Sequence, residues 1–311
     1  MKTLAKVLTI LAVVYISSVS FILFASYRSS LSYQFYEPVS GSNLINITQS
    51  NSLVDCHNNT LSGTLTWGNI PPNTCGIYAH NLSNITIRNC KITSFEHGIC
   101  LHSVSNIIIN NVRIHDLNLK GSSGILATNS NNVSIYNTVI QGIGDGSKMG
   151  GFGILFYNTN SSIIQDFYIS WVSDACLMPN GYNNTIRSGT LRYCGRSISL
   201  SFPTSQGNTF EQISVLATRF NERNIFKSII NLGEATGSTY PHIFHNNTFI
   251  NKGSSGGLVD FIEDSPYQYQ VPQALFNNNY YYNITDKPFI ISCQGLGCTG
   301  YYIDNNPRTY V

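Results

Sequence analysis

The chain has 311 residues, of which 42% are hydrophobic and only 10% charged, and its net charge is +2. That length supports a sizeable core, and the near-neutral charge leaves nucleic acid without an electrostatic footprint to bind. Aromatics at 12% exclude a disordered chain.

The first element in chain order is the run Val7–Tyr27, apolar but for small breaks at Thr9, Ser17, Ser18, Ser20 and Ser26. Roughly 20 such residues cross a bilayer as a helix. Lys2 and Lys6 precede the run, so the positive-inside rule sends everything after it outside the cell. Residues 1–28 therefore read as an uncleaved single-pass anchor. The competing reading is a cleaved signal, which secretes the chain, but Ala25-Ser26 makes a poor cleavage site. Residues 29–51 read as a linker or cap.

An exterior location agrees with two further patterns. Asn-x-Ser/Thr glycosylation sequons start at Asn46, Asn58, Asn81, Asn84, Asn132, Asn160, Asn183, Asn246 and Asn283. The chain also holds 8 cysteines, as suits an oxidising compartment. Shortest-loop reasoning pairs Cys56 with Cys75 and Cys293 with Cys298. No Cys-x-x-Cys occurs, so a metal site is not expected. With 15 carboxylates, the chain has few groups for acid to protonate, which fits an acidic exterior.

From residue 52 to 293 the chain repeats. "CGIYAHNLSNITIRNCKI" (75–92), "HGICLHSVSNIIINNVRI" (97–114), "SGILATNSNNVSIYNTVI" (123–140) and "FGILFYNTNSSIIQDFYI" (152–169) align. A small residue opens each unit: Gly76, Gly98, Gly124, Gly153, Ala175 and Ser197. Apolar residues alternate with period 2, as in Ile85 and Ile87 or Ile107 and Ile109. No 3.6-residue period persists. Strands this short are stable only when stacked, so each pairs in parallel with its copy one turn away. Asn89, Asn111, Asn137, Asp166 and Ser188 share one turn position, where a left-handed backbone suits Asn or Asp and stacked amides form a ladder. The expected fold is all-β: a right-handed single-stranded parallel β-helix, a solenoid of about ten turns, behind an N-terminal transmembrane helix. Residues 294–311 are left as a tail.

This pattern resembles the right-handed parallel β-helix superfamily of pectate-lyase-like enzymes, polygalacturonases, C5-epimerases, NosD-like repeat proteins and phage tailspikes. The low charge and the Tyr-, Asn-, Ser- and Ile-rich surface also resemble secreted proteins of thermoacidophilic archaea and their viruses. The superfamily resemblance implies that any site lies on the outer face, built from matching positions in neighbouring turns. The polygalacturonase pattern implies two adjacent acids, but "VSDACLMPNG" (172–181) supplies only Asp174, and Arg196 stands near the family's His. Glycoside hydrolysis needs two carboxylates, so it is not expected, and no residue is assigned as catalytic.

Other outward positions suggest binding. Asp174 and Arg196, 22 residues apart, are expected to form a surface salt bridge between turns. His80 and His102 share a column, as do Lys91 and Arg113, an unneutralised pair that would attract an anionic sugar or phosphate. Two turns lengthen at one corner, at "HDLNLKGSSG" (115–124) and "QGIGDGSKMGG" (141–151). Insertions on one face of a repeat protein often mark its binding face, so Asp116, Lys120, Asp145 and Lys148 are candidate ligand residues, with exposed Tyr nearby to stack on sugars. Calcium at Asp260, Glu263 and Asp264 is the weak cofactor candidate. The column Tyr78, Cys100, Leu126, Leu155 and Leu177 is outward yet apolar, so residues 29–50, the C-terminal tail or a second subunit should cover it. The reading is of a membrane-anchored surface protein, of cell or virion, that binds glycans or partners. A polysaccharide lyase, epimerase or hydrolase is the alternative.

Overall fold

The computed structural model of the chain describes residues 44–63, 74–117, 119–144, 150–200, 205–218, 229–232, 240–252, 259–261, 274–282 and 308–310. The expected anchor, Asp145, Lys148, Asn283, Cys293 and Cys298 lie outside them. Among the described residues no helix is long and apolar enough to cross a membrane.

The described residues form 22 strands in one continuous parallel sheet, wound as a β-helix. Each turn contributes three strands, so the sheet bends into three strips. The first strip stacks Ile45–Ile47, Cys75–His80, His97–His102, Ser122–Thr128 and Gly151–Tyr157. The second stacks Leu53–Asp55, Ser83–Arg88, Ser105–Asn110 and the start of Asn131–Ile143. The third stacks Thr60–Ser62, Lys91–Thr93, Arg113–Leu117 and the rest of Asn131–Ile143. In the third strip the successive rungs are Thr60, Lys91, Arg113, Val139, Tyr168, Thr190, Ser214, Thr248, Tyr280 and Arg308. Pairing thus extends beyond 52–293 at both ends, to Ile45–Ile47 and Arg308–Tyr310.

Period-2 alternation sets the core. Ile77, Ile99, Ile125 and Ile154 stack inward on the first strip; Ile92, Ile114, Ile140 and Ile169 do so on the third, all buried. Burying each such side chain contributes about 1.5–3 kcal/mol. Later turns replace isoleucine with a stack of Phe210, Phe244 and Phe276, whose ring centroids lie 4.5 and 4.8 Å apart. The opening glycines are steric necessities. A Cβ on Gly98 would lie 2.5 Å from the carbonyl oxygen of Gly124 and 2.8 Å from Cγ2 of Ile114.

The corners are left-handed residues. Asn89, Asn111, Asn137, Asp166 and Ser188 all have φ between 49° and 55°. The Asn111 amide donates to Asn89 at 2.8 Å, and Asn89 donates to Asp55 at 3.1 Å. A parallel ladder runs down the corner before the second strip: Asn132 donates to Asn106, Asn106 to Asn84, and Asn84 to Asn51. A buried third series links backbone N–H groups to the Asn184, Asn208, Asn247 and Asn279 side-chain oxygens of the following turns.

Two expectations require correction. Cys56 pairs with Cys90 and Cys75 with Cys100, not with each other; a third disulfide joins Cys176 and Cys194. In a solenoid the nearest thiol sits on the adjacent turn, so loop length misleads. The register also slips. Ala175 pairs with Phe152, so Cys176 takes the position of Gly153, and Leu155 pairs with Met178 rather than Leu177. A β-bulge between Val172 and Ala175 absorbs the offset.

Candidate functional site

Strand alternation sends Lys91 and Arg113 outward on adjacent rungs of the third strip. Among the described residues neither forms an ion pair. They line a groove of about 180 Å³ with Ile114, His115, Val139 and Gln141. His115 Nδ1 lies 2.8 Å from Asp116 Oδ2, which holds the imidazole at one wall. Gln141 Nε2 donates to Ser170 Oγ at 3.2 Å. The rung after Ser170 is Arg192, also outward. Two cations stacked about 4.8 Å apart favour an anionic group between or across them.

The groove ends at a corner where each turn again places a residue in the left-handed region. These residues are Ser94, Asp116, Gly142, Trp171 and Tyr193, with φ of 62°, 57°, 65°, 57° and 52°. Bulky residues rarely adopt this conformation. Here two do so in succession, and their rings stack with centroids 4.3 Å apart and planes 19° apart. Trp171 remains 48% exposed, too open for a core residue. Strain of this kind concentrates at functional positions. Sequence reading missed both aromatics. Their separation by 22 residues, one turn, was the available signal.

Of the candidate residues, Asp116 stands in this corner column and Lys120 is exposed on the loop that follows. His80 and His102 do stack, with ring centroids 4.8 Å apart. They occupy the other end of the first strip, so they do not converge with Asp116. His102 Nδ1 contacts Thr128 Oγ1.

The expected surface salt bridge is a buried one. Asp174 is fully buried and the Arg196 side chain only 12% exposed. Burial pushes the Asp174 carboxyl upward, with the Arg196 charge pulling the other way. The apolar outward column is real in Tyr78, Cys100, Leu126, Leu155 and Met178, each buried. The described part of the expected cover, Leu44–Ser50, continues the sheet edge at Ile45–Ile47 instead of lying across this column. A second groove, of about 320 Å³, is lined by amides including Asn129, Asn132, Asn158 and Asn160. Asn158 donates to Asn129 and Tyr182 N–H to Asn160, so its polarity is largely spent on the ladder. The sequon residues Asn46, Asn58, Asn81, Asn84, Asn132, Asn183 and Asn246 are exposed, and Asn160 is half-buried.

The family model for the periplasmic copper-binding protein (NosD) matches residues 15–166. No curated protein matches the sequence. Among solved structures, an alginate lyase from Paenibacillus sp. str. FPU-7 superposes with a TM-score of 0.58 at 15% identity, over 78% of this chain and 85% of that one. A mutant tailspike protein of E. coli bacteriophage HK620, in complex with a pentasaccharide, superposes with a TM-score of 0.52 at 11% identity. That match covers 88% of this chain but only 48% of the tailspike. At these identities the likeness is one of fold: the chain is a parallel β-helix protein.

Copper does not fit the described residues. Copper sites gather His, Cys or Met donors. Among the described residues no group of three or more His, Cys, Asp or Glu comes together, and no cysteine is free. His80 and His102 supply two donors at most.

Proposed function

We propose that this protein binds acidic glycans on the outer face of its third strip, through Lys91, Arg113, His115 and Gln141. In the same proposal residues 7–27 hold the chain at a membrane, and the β-helix is displayed outside the cell or on a virion. The observation that carries the binding reading is the groove with Lys91 and Arg113 stacked in its wall and, among the described residues, no carboxylate paired to either. The structural neighbours support it, one being an alginate lyase and another a tailspike with a pentasaccharide. Three disulfides among the described residues support an oxidising location. The test is binding of alginate hexamer and of a neutral glucan hexamer to the full-length chain, by calorimetry. Alginate binding that falls at least tenfold in Lys91→Ala/Arg113→Ala supports the reading. Equal binding of both sugars by both proteins sinks it.

A second reading, polysaccharide lyase, is favoured by one feature: His115 stands in the groove beside the two cations. β-Elimination needs a base for the proton alpha to the carboxylate and a donor for the departing oxygen. His115 and Lys91 are the groove's candidates. Release of unsaturated product that His115→Ala abolishes, with binding retained, would establish it.

A further inference from the structure

Charge is segregated on the third strip. Strand alternation turns Ile92, Ile114, Ile140, Ile169 and Leu191 into the core, so the residues on either side of each face out. From the Thr60 rung to the Arg308 rung, neither outward column contains an Asp or Glu. The columns do hold Lys91, Arg113 and Arg192, and among the described residues no carboxylate is paired to any of the three. The carboxylates at the flanking corners are engaged by their neighbours. Asp116 Oδ2 lies 2.8 Å from His115 Nδ1, and Asp166 Oδ2 accepts from Gln165 Nε2 at 2.9 Å. The strip is also open. Lys91, Tyr168 and Arg192 are half-buried and Arg113 is exposed, whereas the outward column of the first strip is buried.

Arg192 stands outside the groove that Lys91 and Arg113 line. The rungs His115, Gln141, Ser170 and Arg192 follow in order, so Arg192 lies three strand spacings, about 14 Å, beyond the Arg113 turn. Tyr168 lies between them, two rungs beyond Arg113 in that residue's own column. Two cations at one end, an aromatic in the middle and a third cation at the far end thus lie along the solenoid axis.

We infer that the ligand of this face is a linear polyuronate laid along the solenoid axis, with Lys91 and Arg113 at one end, Tyr168 under a sugar ring and Arg192 at the other end. The inference deepens the glycan reading and rests on it. A 1,4-linked pyranose chain advances by about one strand spacing per residue, so successive sugars keep step with successive rungs. From Lys91 to Arg192 is four spacings, about 19 Å, which five sugars span and three do not. The Tyr168 ring offers an apolar face to a pyranose, and the absence of acids from both columns lets uronate carboxylates pass without repulsion.

Alginate trimer and hexamer and poly-L-glutamate are titrated into the full-length wild type, Arg192→Gln, Tyr168→Ser and Lys91→Ala/Arg113→Ala, with folding checked by circular dichroism. The inference expects the hexamer to bind the wild type about tenfold or more tighter than the trimer, because the far contacts are made within one bound chain. It expects Arg192→Gln to weaken the hexamer about fivefold and to leave the trimer within twofold of wild type. Tyr168→Ser should weaken the hexamer likewise; were that variant not to fold, Arg192→Gln and the length series decide alone. Trimer and hexamer binding alike, with loss only in the Lys91/Arg113 variant, overturns the axial site and leaves the groove standing. Poly-L-glutamate bound as tightly as the hexamer overturns the sugar assignment. No alginate binding by the wild type overturns both readings.

Discussion

Nε and Nη2 of Arg196 both donate to one oxygen of Asp174, at 3.0 and 2.6 Å, and among the described residues Oδ2 of that carboxylate has no hydrogen-bond partner. The pair ties two turns together from inside the protein. A buried pair of this kind adds little net stability, yet breaking it is costly. Arg196→Met would leave a buried, uncompensated carboxylate and lose about 3–5 kcal/mol at neutral pH. The loss shrinks as pH falls, because a carboxyl whose folded pKa is raised takes up its proton first in the folded state. Chemical denaturation of both proteins at pH 7 and pH 4.5 checks this, and an equal gap at the two values would refute it.

His97 and His242 set an acid limit that the scarcity of carboxylates conceals. Burial lowers both to about 4, from 6.5. Each stays neutral in the folded chain while an unfolded histidine takes up a proton. Their contribution is complete above pH 6.5 and is lost as pH falls from there toward 4. His97→Gln/His242→Gln should flatten the fall in melting temperature across that window. A slope unchanged from wild type would show that other groups govern it.

Gly98→Ala should cost about 1–3 kcal/mol, since its Cβ would fall against the Gly124 carbonyl on the next turn and the Ile114 side chain. Gly121 is the control. Among the described residues a Cβ there meets nothing within 4 Å, although its φ of 82° disfavours a side chain, so Gly121→Asn should cost less. Denaturation midpoints of the two variants decide it.

Peptide mapping without reduction should recover Cys56 with Cys90, Cys75 with Cys100 and Cys176 with Cys194, and no Cys56–Cys75 peptide. Cys56→Ser/Cys90→Ser should lose about 2–4 kcal/mol, read as a lower denaturation midpoint.

The solenoid was legible because one physical rule repeats. Gly76, Gly98, Gly124 and Gly153 each make room for the next turn's backbone, so their spacing reports the turn length directly. The reading failed one turn later, at Ala175, because the bulge after Val172 changes the register without changing residue type. The Lys91/Arg113 column followed from the same count of residues. Trp171 and Tyr193 did not, since an aromatic in an alternating strand reads as core until its backbone is seen to be left-handed. The Asp174–Arg196 spacing gave the pairing but not its burial, which depends on what covers the outer face.

The two long turns leave the sheet at the same place and return to the same register. The Gly144 N–H bonds to Leu117 O at 2.8 Å before one insertion, and Ser122 pairs with Gly151 after both. Among the described residues between those points, the Gly121 N–H still bonds across to Gly150 O at 3.1 Å, although the two turns differ in length. The corner after the third strip therefore acts as a splice point, where the chain can acquire or exchange surface loops of different length while the stacked interior is inherited intact.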